Sequence, residues 1–143
     1  MILDASVLLS AFFPDEAQAQ AQAILREHVA GQVRLKAPAL LTYEVTHAIW
    51  HAERRGRIAS AQGDEILRAA AGLDIELLAV DWGESLPLAR RFGRSASDAA
   101  YLTLAERLGE KLVTVDLRLY NAVHQALDWV IWIGDYSANS EVG

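Results

Sequence analysis

Four acidic residues stand among residues that otherwise favour burial. Asp4 falls inside the run MILDASVLLSAFF and Asp116 inside LVTVDLRLY. Glu44 lies in LLTYEVTHAI, on one helical face with Leu40, His47 and His51, and Asp98 precedes the apolar stretch AAYLTLA. A carboxylate removed from water needs a compensating partner: a helix start, a cation or a metal. Each acid alone has an ordinary explanation. Asp4 and Asp116 can cap helices that begin just after them, Asp98 forms a loose capping box with Ser95, and Glu44 suits the positive end of its helix. As a set they read as acids at the rim of a core. Two unit charges about 4 Å apart repel by on the order of 4 kcal/mol at an effective dielectric of about 20. A site of three or four carboxylates therefore needs a cation. With oxygen donors and no cysteine, Mg²⁺ and Mn²⁺ suit it best.

The elements that must position these acids can be read from the pattern. Short β-rich runs over 2–3, 33–36, 76–80, 111–115 and 129–133 alternate with helical patterns over 16–30, 39–54, 59–71, 82–92, 97–108 and 117–127. Two of the connections hold two helices each. This alternation predicts a parallel sheet covered by helices on both faces. In such a sheet, ligands bind beyond the carboxyl ends of the strands. Asp4 and Asp116 directly follow strands and so share that edge, and neighbouring strands would bring them together. Glu44, early in its helix, and Asp98, in the first turn of another, are candidates for the same edge.

The 143 residues predict one domain over 1–136 with a frayed tail, SANSEVG, from 137. The absence of cysteine excludes disulfides, thiol nucleophiles and cysteine-ligated zinc. No apolar run approaches the roughly 20 residues needed to span a bilayer. The start lacks a basic segment and carries Asp4 within its apolar run, so it is not read as a signal peptide; a cytoplasmic protein with no membrane partner is expected. The net charge of -6 argues mildly against nucleic acid. The arginines, however, bunch at ERRGR (53–57) and ARRFGR (89–94), and arginine suits forked contact with phosphate. Each cluster alone reads as a solvated helix end.

The chain resembles the PIN domain and, in size and motif order, the VapC-type toxins of toxin–antitoxin pairs. Four stretches carry the likeness: MILDASVLL, LLTYEVTHAI, SASDAAYLTLAERLG and KLVTVDLRLYNAV, the last two being the most telling. The resemblance implies a PIN-like α/β/α sandwich with a central parallel sheet of four or five strands. It implies a metal-dependent endoribonuclease that forms a homodimer and is inhibited by a VapB-type antitoxin laid across the groove. It casts Asp4, Glu44, Asp98 and Asp116 as catalytic. Asp4, Asp98 and Asp116 would be the ligands of Mg²⁺ or Mn²⁺, and Glu44 a water-mediated ligand or the group orienting the attacking water. Ser6 and Thr114 would hold a water or orient a carboxylate, and Arg91 or Arg94 would grip the RNA backbone. No organic cofactor is expected.

Other chemistries fit less well. Haloacid-dehalogenase-type phosphatases need D-x-D after the first strand, and this chain reads Asp4-Ala5-Ser6. A phosphoacceptor receiver needs a second acidic pair and a lysine after a late strand, whereas Lys111 precedes its strand. Glu44 and His47 form only one copy of the E-x-x-H spacing used in di-iron sites, so His47 and His51 are read as surface or dimer-facing. Tyr43 and Trp50 could stack on bases, but core or dimer packing suits them better. WVIWI reads as a strand packed under helices. The remaining alternative is a non-catalytic α/β binding module whose acids only cap helices. It predicts no response to metal, whereas a strained acid cluster predicts that Asp98→Asn or Asp116→Asn stabilises the metal-free protein.

Overall fold

The apolar runs assemble into one all-parallel sheet. In the computed structural model, which describes residues 1–137, the strands are β1 (Ile2–Leu3), β2 (Lys36–Pro38), β3 (Glu76–Leu78), β4 (Leu112–Thr114) and β5 (Val130–Trp132). Their order is β3-β2-β1-β4-β5, and every neighbouring pair is parallel. β1 is central: Ile2 is in register with Lys36 on one side and Leu112 on the other, and Leu3 with Val113. Successive side chains of a strand point to opposite faces. Ile2 and Leu3 are both fully buried, so both faces of the sheet are covered, as parallel sheets require.

The covering helices are α1 (Ala5–Phe12), α2 (Ala19–Val29), α3 (Leu41–Arg54), α4 (Ser60–Ala71), α5 (Trp82–Phe92), α6 (Ala96–Leu108) and α7 (Leu117–Val123). This is the expected α/β/α sandwich with a five-stranded parallel sheet. α6 packs against β1, β2 and β4 and pairs with α5. Every residue from Ala99 to Ala105 in α6 is buried, so the middle of this helix is core on all sides and has no polar stripe.

Several boundaries differ from the sequence reading. Three connections, not two, hold two helices, because α1 forms from ASVLLSAF. That run is too uniformly apolar to show a helical period, and only the capping argument for Asp4 implies a helix there. β2 lies at Lys36–Pro38, not 33–36: the Leu35 amide donates to His28 Nδ1 at 3.1 Å, and the ladder to β1 begins with the Lys36 amide on the Met1 carbonyl at 3.0 Å. α2 starts at Ala19, not 16, because Ala17 takes a positive φ of 36° and Gln18 becomes the cap. α7 ends at Val123, and the last three strands are shorter than expected. Tyr43 and Trp50, 79% and 56% exposed, stay out of the core. Trp129 and Trp132 are half-buried, with Trp132 set against Tyr120 at 5.7 Å. The tail expected from 137 falls, beyond Ser137, outside the described residues. Among the described residues no helix is long and apolar enough to cross a membrane.

The central place of β1 gives a direct expectation. Leu3→Ala should cost about 2–5 kcal/mol in urea unfolding, the range for a truncated core leucine. A loss near zero would be incompatible with a fully buried Leu3.

Candidate active site

Asp4 ends β1 and occupies the N-cap position of α1, but its side chain makes no capping bond. Instead its Oδ2 accepts from Ser6 Oγ and from Thr114 Oγ1, both at 2.7 Å. Thr114, fully buried at the end of β4, also accepts from the Asp116 amide at 2.9 Å, and Ser6 Oγ accepts from the Val115 amide at 3.3 Å. Two hydroxyls thus join the carboxyl ends of the two adjacent strands around Asp4. The capping explanation fails for Asp4, whose carboxylate is held by β4 and Ser6.

It holds for Asp116, whose Oδ1 accepts from the Arg118 and Leu119 amides at 3.0 and 3.3 Å. Asp98 keeps half of the expected box, its amide donating to Ser95 Oγ at 3.1 Å. Its carboxylate does not complete the box. Arg94 takes it, with Nε and Nη2 each 3.0 Å from Oδ2. Glu44, in the first turn of α3, accepts at Oε1 from the Tyr101 hydroxyl at 2.7 Å.

These acids lie in one another's field. Burial pushes the Asp4 carboxyl above its usual range; the Ser6 and Thr114 bonds pull it back, and the charges of Asp98 and Asp116 push it further up. Burial likewise raises Glu44, the Tyr101 bond opposes this, and Asp4 and Asp98 add to the rise. Each acid gives one oxygen to the protein: Oδ2 of Asp4 and Asp98, Oε1 of Glu44, Oδ1 of Asp116. Among the described residues, no group donates a hydrogen bond to the second oxygen of any of the four.

A set of carboxylate oxygens with one atom each uncommitted has the donor chemistry of a hard divalent cation. Among the described residues, however, no three His, Asp or Glu side chains stand close enough to hold one ion as they are. Binding would need these side chains to close in.

The other singled-out residues separate by position. Arg94 faces the acids, whereas Arg91 is exposed and lies over the Phe92 ring at 4.7 Å. In the other arginine cluster, Arg57 pairs with Asp15 at 2.8 Å, and Arg54 lies 5.8 Å from the Trp50 ring. His47 and His51 are exposed on α3 and stack on each other. A cavity of about 580 Å³ between α5 and α6 is lined by Val80, Trp82, Leu86 and Ala96, and by none of the four acids. Tyr101 is the site residue that the sequence reading overlooks. Its one signal was a phenol hydroxyl in an otherwise apolar helix, which demands a partner.

The fold is a parallel α/β sandwich with Asp4 and Asp116 beyond the carboxyl ends of two adjacent central strands, the edge at which open parallel sheets bind ligands. The chain belongs to the PIN-domain family, whose profile matches residues 1–124. It is 31% identical over 123 residues to Ribonuclease VapC3 of Pyrobaculum aerophilum, a match covering 83% of this chain and 91% of that protein. It is also similar to the crystal structure of PAE2754 from Pyrobaculum aerophilum, with a TM-score of 0.64, 25% identity, and 93% and 90% of the two chains covered.

The geometry moves the expected strain from Asp98 and Asp116 to Asp4. Asp98→Asn weakens an ion pair with Arg94, and Asp116 caps α7 with one oxygen, a role that Asn also fills, so neither replacement relieves strain. Asp4 is raised above its unfolded value, so above the ordinary carboxylate range the folded state holds a proton that the unfolded state has lost. Stability then falls as pH rises from the unfolded value through the raised one, and stays lowered above it. In EDTA, Asp4→Asn should therefore melt higher than the parent protein at neutral pH, with the difference shrinking as pH falls towards 4. Calorimetry across that range checks this, and a variant that melts lower at neutral pH contradicts it.

Proposed function

We propose that this protein is a metal-dependent endoribonuclease, the toxin of a VapBC-type toxin–antitoxin pair. The observation that carries the reading is the pairing of Asp4 and Asp116 at the ends of adjacent parallel strands, with Asp98 and Glu44 in the same field and one uncommitted oxygen on each. Membership of the PIN-domain family and the likeness to Ribonuclease VapC3 support it.

On this reading Asp4, Asp98 and Asp116 hold Mg²⁺ or Mn²⁺. When bound, the ion supplies Lewis-acid polarisation of the phosphoryl oxygens and a nucleophilic water at neutral pH. Glu44 approaches from α3 and orients the attacking water, and its raised proton affinity suits a group that shares that water's proton. Ser6 and Thr114 fix the orientation of Asp4. Arg94, released from Asp98, forks onto the RNA phosphate beside the acids. We assign the activity to one domain over 1–136, working in the cytoplasm as a homodimer and silenced by a VapB-type antitoxin. The capping-module alternative keeps one observation, the cap that Asp116 gives α7.

A labelled RNA pool incubated in Mg²⁺, in Mn²⁺ and in EDTA separates the two, with Asp98→Asn as control. The nuclease reading expects cutting that falls to the EDTA background in the variant. Equal residual cutting by both proteins would mark a contaminant. A protein that cuts nothing and shows no Mn²⁺ thermal shift would be the capping module.

Arg94 and a cation compete for Asp98. Arg94→Gln should therefore tighten Mn²⁺ binding a few-fold in a thermal-shift titration, consistent with about 1 kcal/mol or less for a partly exposed ion pair. The same variant should raise the KM for RNA. Unchanged metal affinity would show that the ion does not displace Arg94.

A further inference from the structure

The Tyr101 hydroxyl lies where three acid-bearing segments meet. Tyr101 is three residues beyond Asp98 and so stands on the same face of α6, one turn on. It is 1% exposed, inside a helix that is core from Ala99 to Ala105. A phenylalanine would fill the same space without bringing a polar atom into it. The hydroxyl donates to Glu44 Oε1 on α3 at 2.7 Å. Burial and the nearby charges of Glu44 and Asp4 push ionisation of this phenol far above its ordinary range, so it remains a donor at any working pH.

We propose that Tyr101 is a positioning residue: its hydroxyl pins Glu44 Oε1 and leaves Oε2 for the water that attacks RNA. This rests on the ribonuclease reading above and adds a group to its machinery. A glutamate on a surface helix otherwise samples several rotamers, most of them in solvent. One bond from a rigid, buried ring removes that freedom on the site side. Through its place on α6, the same ring keeps Glu44 in step with Asp98.

The test uses Tyr101→Phe, Glu44→Gln and the double variant. Tyr101→Phe should lower kcat for RNA cleavage by about 10- to 100-fold, the usual cost of losing a group that orients a site residue. KM and the Mn²⁺ thermal shift should stay within about two-fold, and adding Tyr101→Phe to Glu44→Gln should cost little more than Glu44→Gln alone. A kcat unchanged in Tyr101→Phe, or losses that multiply in the double variant, would overturn the proposal. Carboxyl ¹³C NMR of Glu44 supplies a readout without RNA. Its resonance should move in Tyr101→Phe, and an unmoved signal would show that the hydroxyl does not hold Glu44. If the parent protein cuts no RNA while the Glu44 signal still moves, the ribonuclease reading fails and the anchoring of Glu44 stands.

Discussion

A carboxylate at the end of the central strand is the constraint to which the rest of the site answers. β1 is only Ile2 and Leu3, both wholly buried, and the next residue is Asp4, 7% exposed. Placing a charge there is unfavourable twice over, by desolvation and by the nearby charges of Asp98 and Asp116. The neighbouring strand supplies part of the compensation. Thr114 reaches Asp4 from the end of β4, and Ser6 reaches back from the first turn of α1. Those two hydroxyls also take the Asp116 and Val115 amides, so the bonds that soothe Asp4 set the path of the chain into α7.

The remaining acids are each stabilised in a different currency. Asp98 has a cation, Asp116 has helix amides, and Glu44 has a buried phenol. The three partners share a consequence: each binds a single oxygen of its acid. The fold thus holds four acids near one sheet edge with a single bonded cation among them, a donor set whose chemistry would suit a divalent cation. Arg94 is the one full positive charge bonded to the group. Gly93, in the left-handed conformation at φ 61°, ends α5 and lets the chain turn so that Arg94 precedes α6 and meets Asp98 one turn on.

Net charge is a poor guide here because charge is sorted by place. The chain carries 19 acidic and 13 basic residues, yet the exposed side of α3, running away from Glu44, shows Tyr43, His47, Trp50, His51 and Arg54. The -6 total is an average over the whole surface, and a bound divalent cation would change the charge at the acid-bearing edge.

The sequence alone was enough for the alternation of strands and helices, the parallel sheet, and the four acids. Those follow from local periodicity and from charge inside apolar runs, both of which survive without coordinates. The Arg94–Asp98 pair was also within reach, being an i,i+4 contact on one helix start. α1 was obscured because a helix buried on most sides has no polar stripe to mark its period. Tertiary structure decided what each acid is held by. Asp4 and Thr114 are 110 residues apart, and Glu44 and Tyr101 57 apart, and no local rule predicts either bond. The choice between a cap and a core-facing carboxylate at Asp4 turned on whether β4 would be the neighbour of β1. Strand order is set by how the whole set of helices packs over the sheet, so that choice belongs to the fold and not to the residues around position 4.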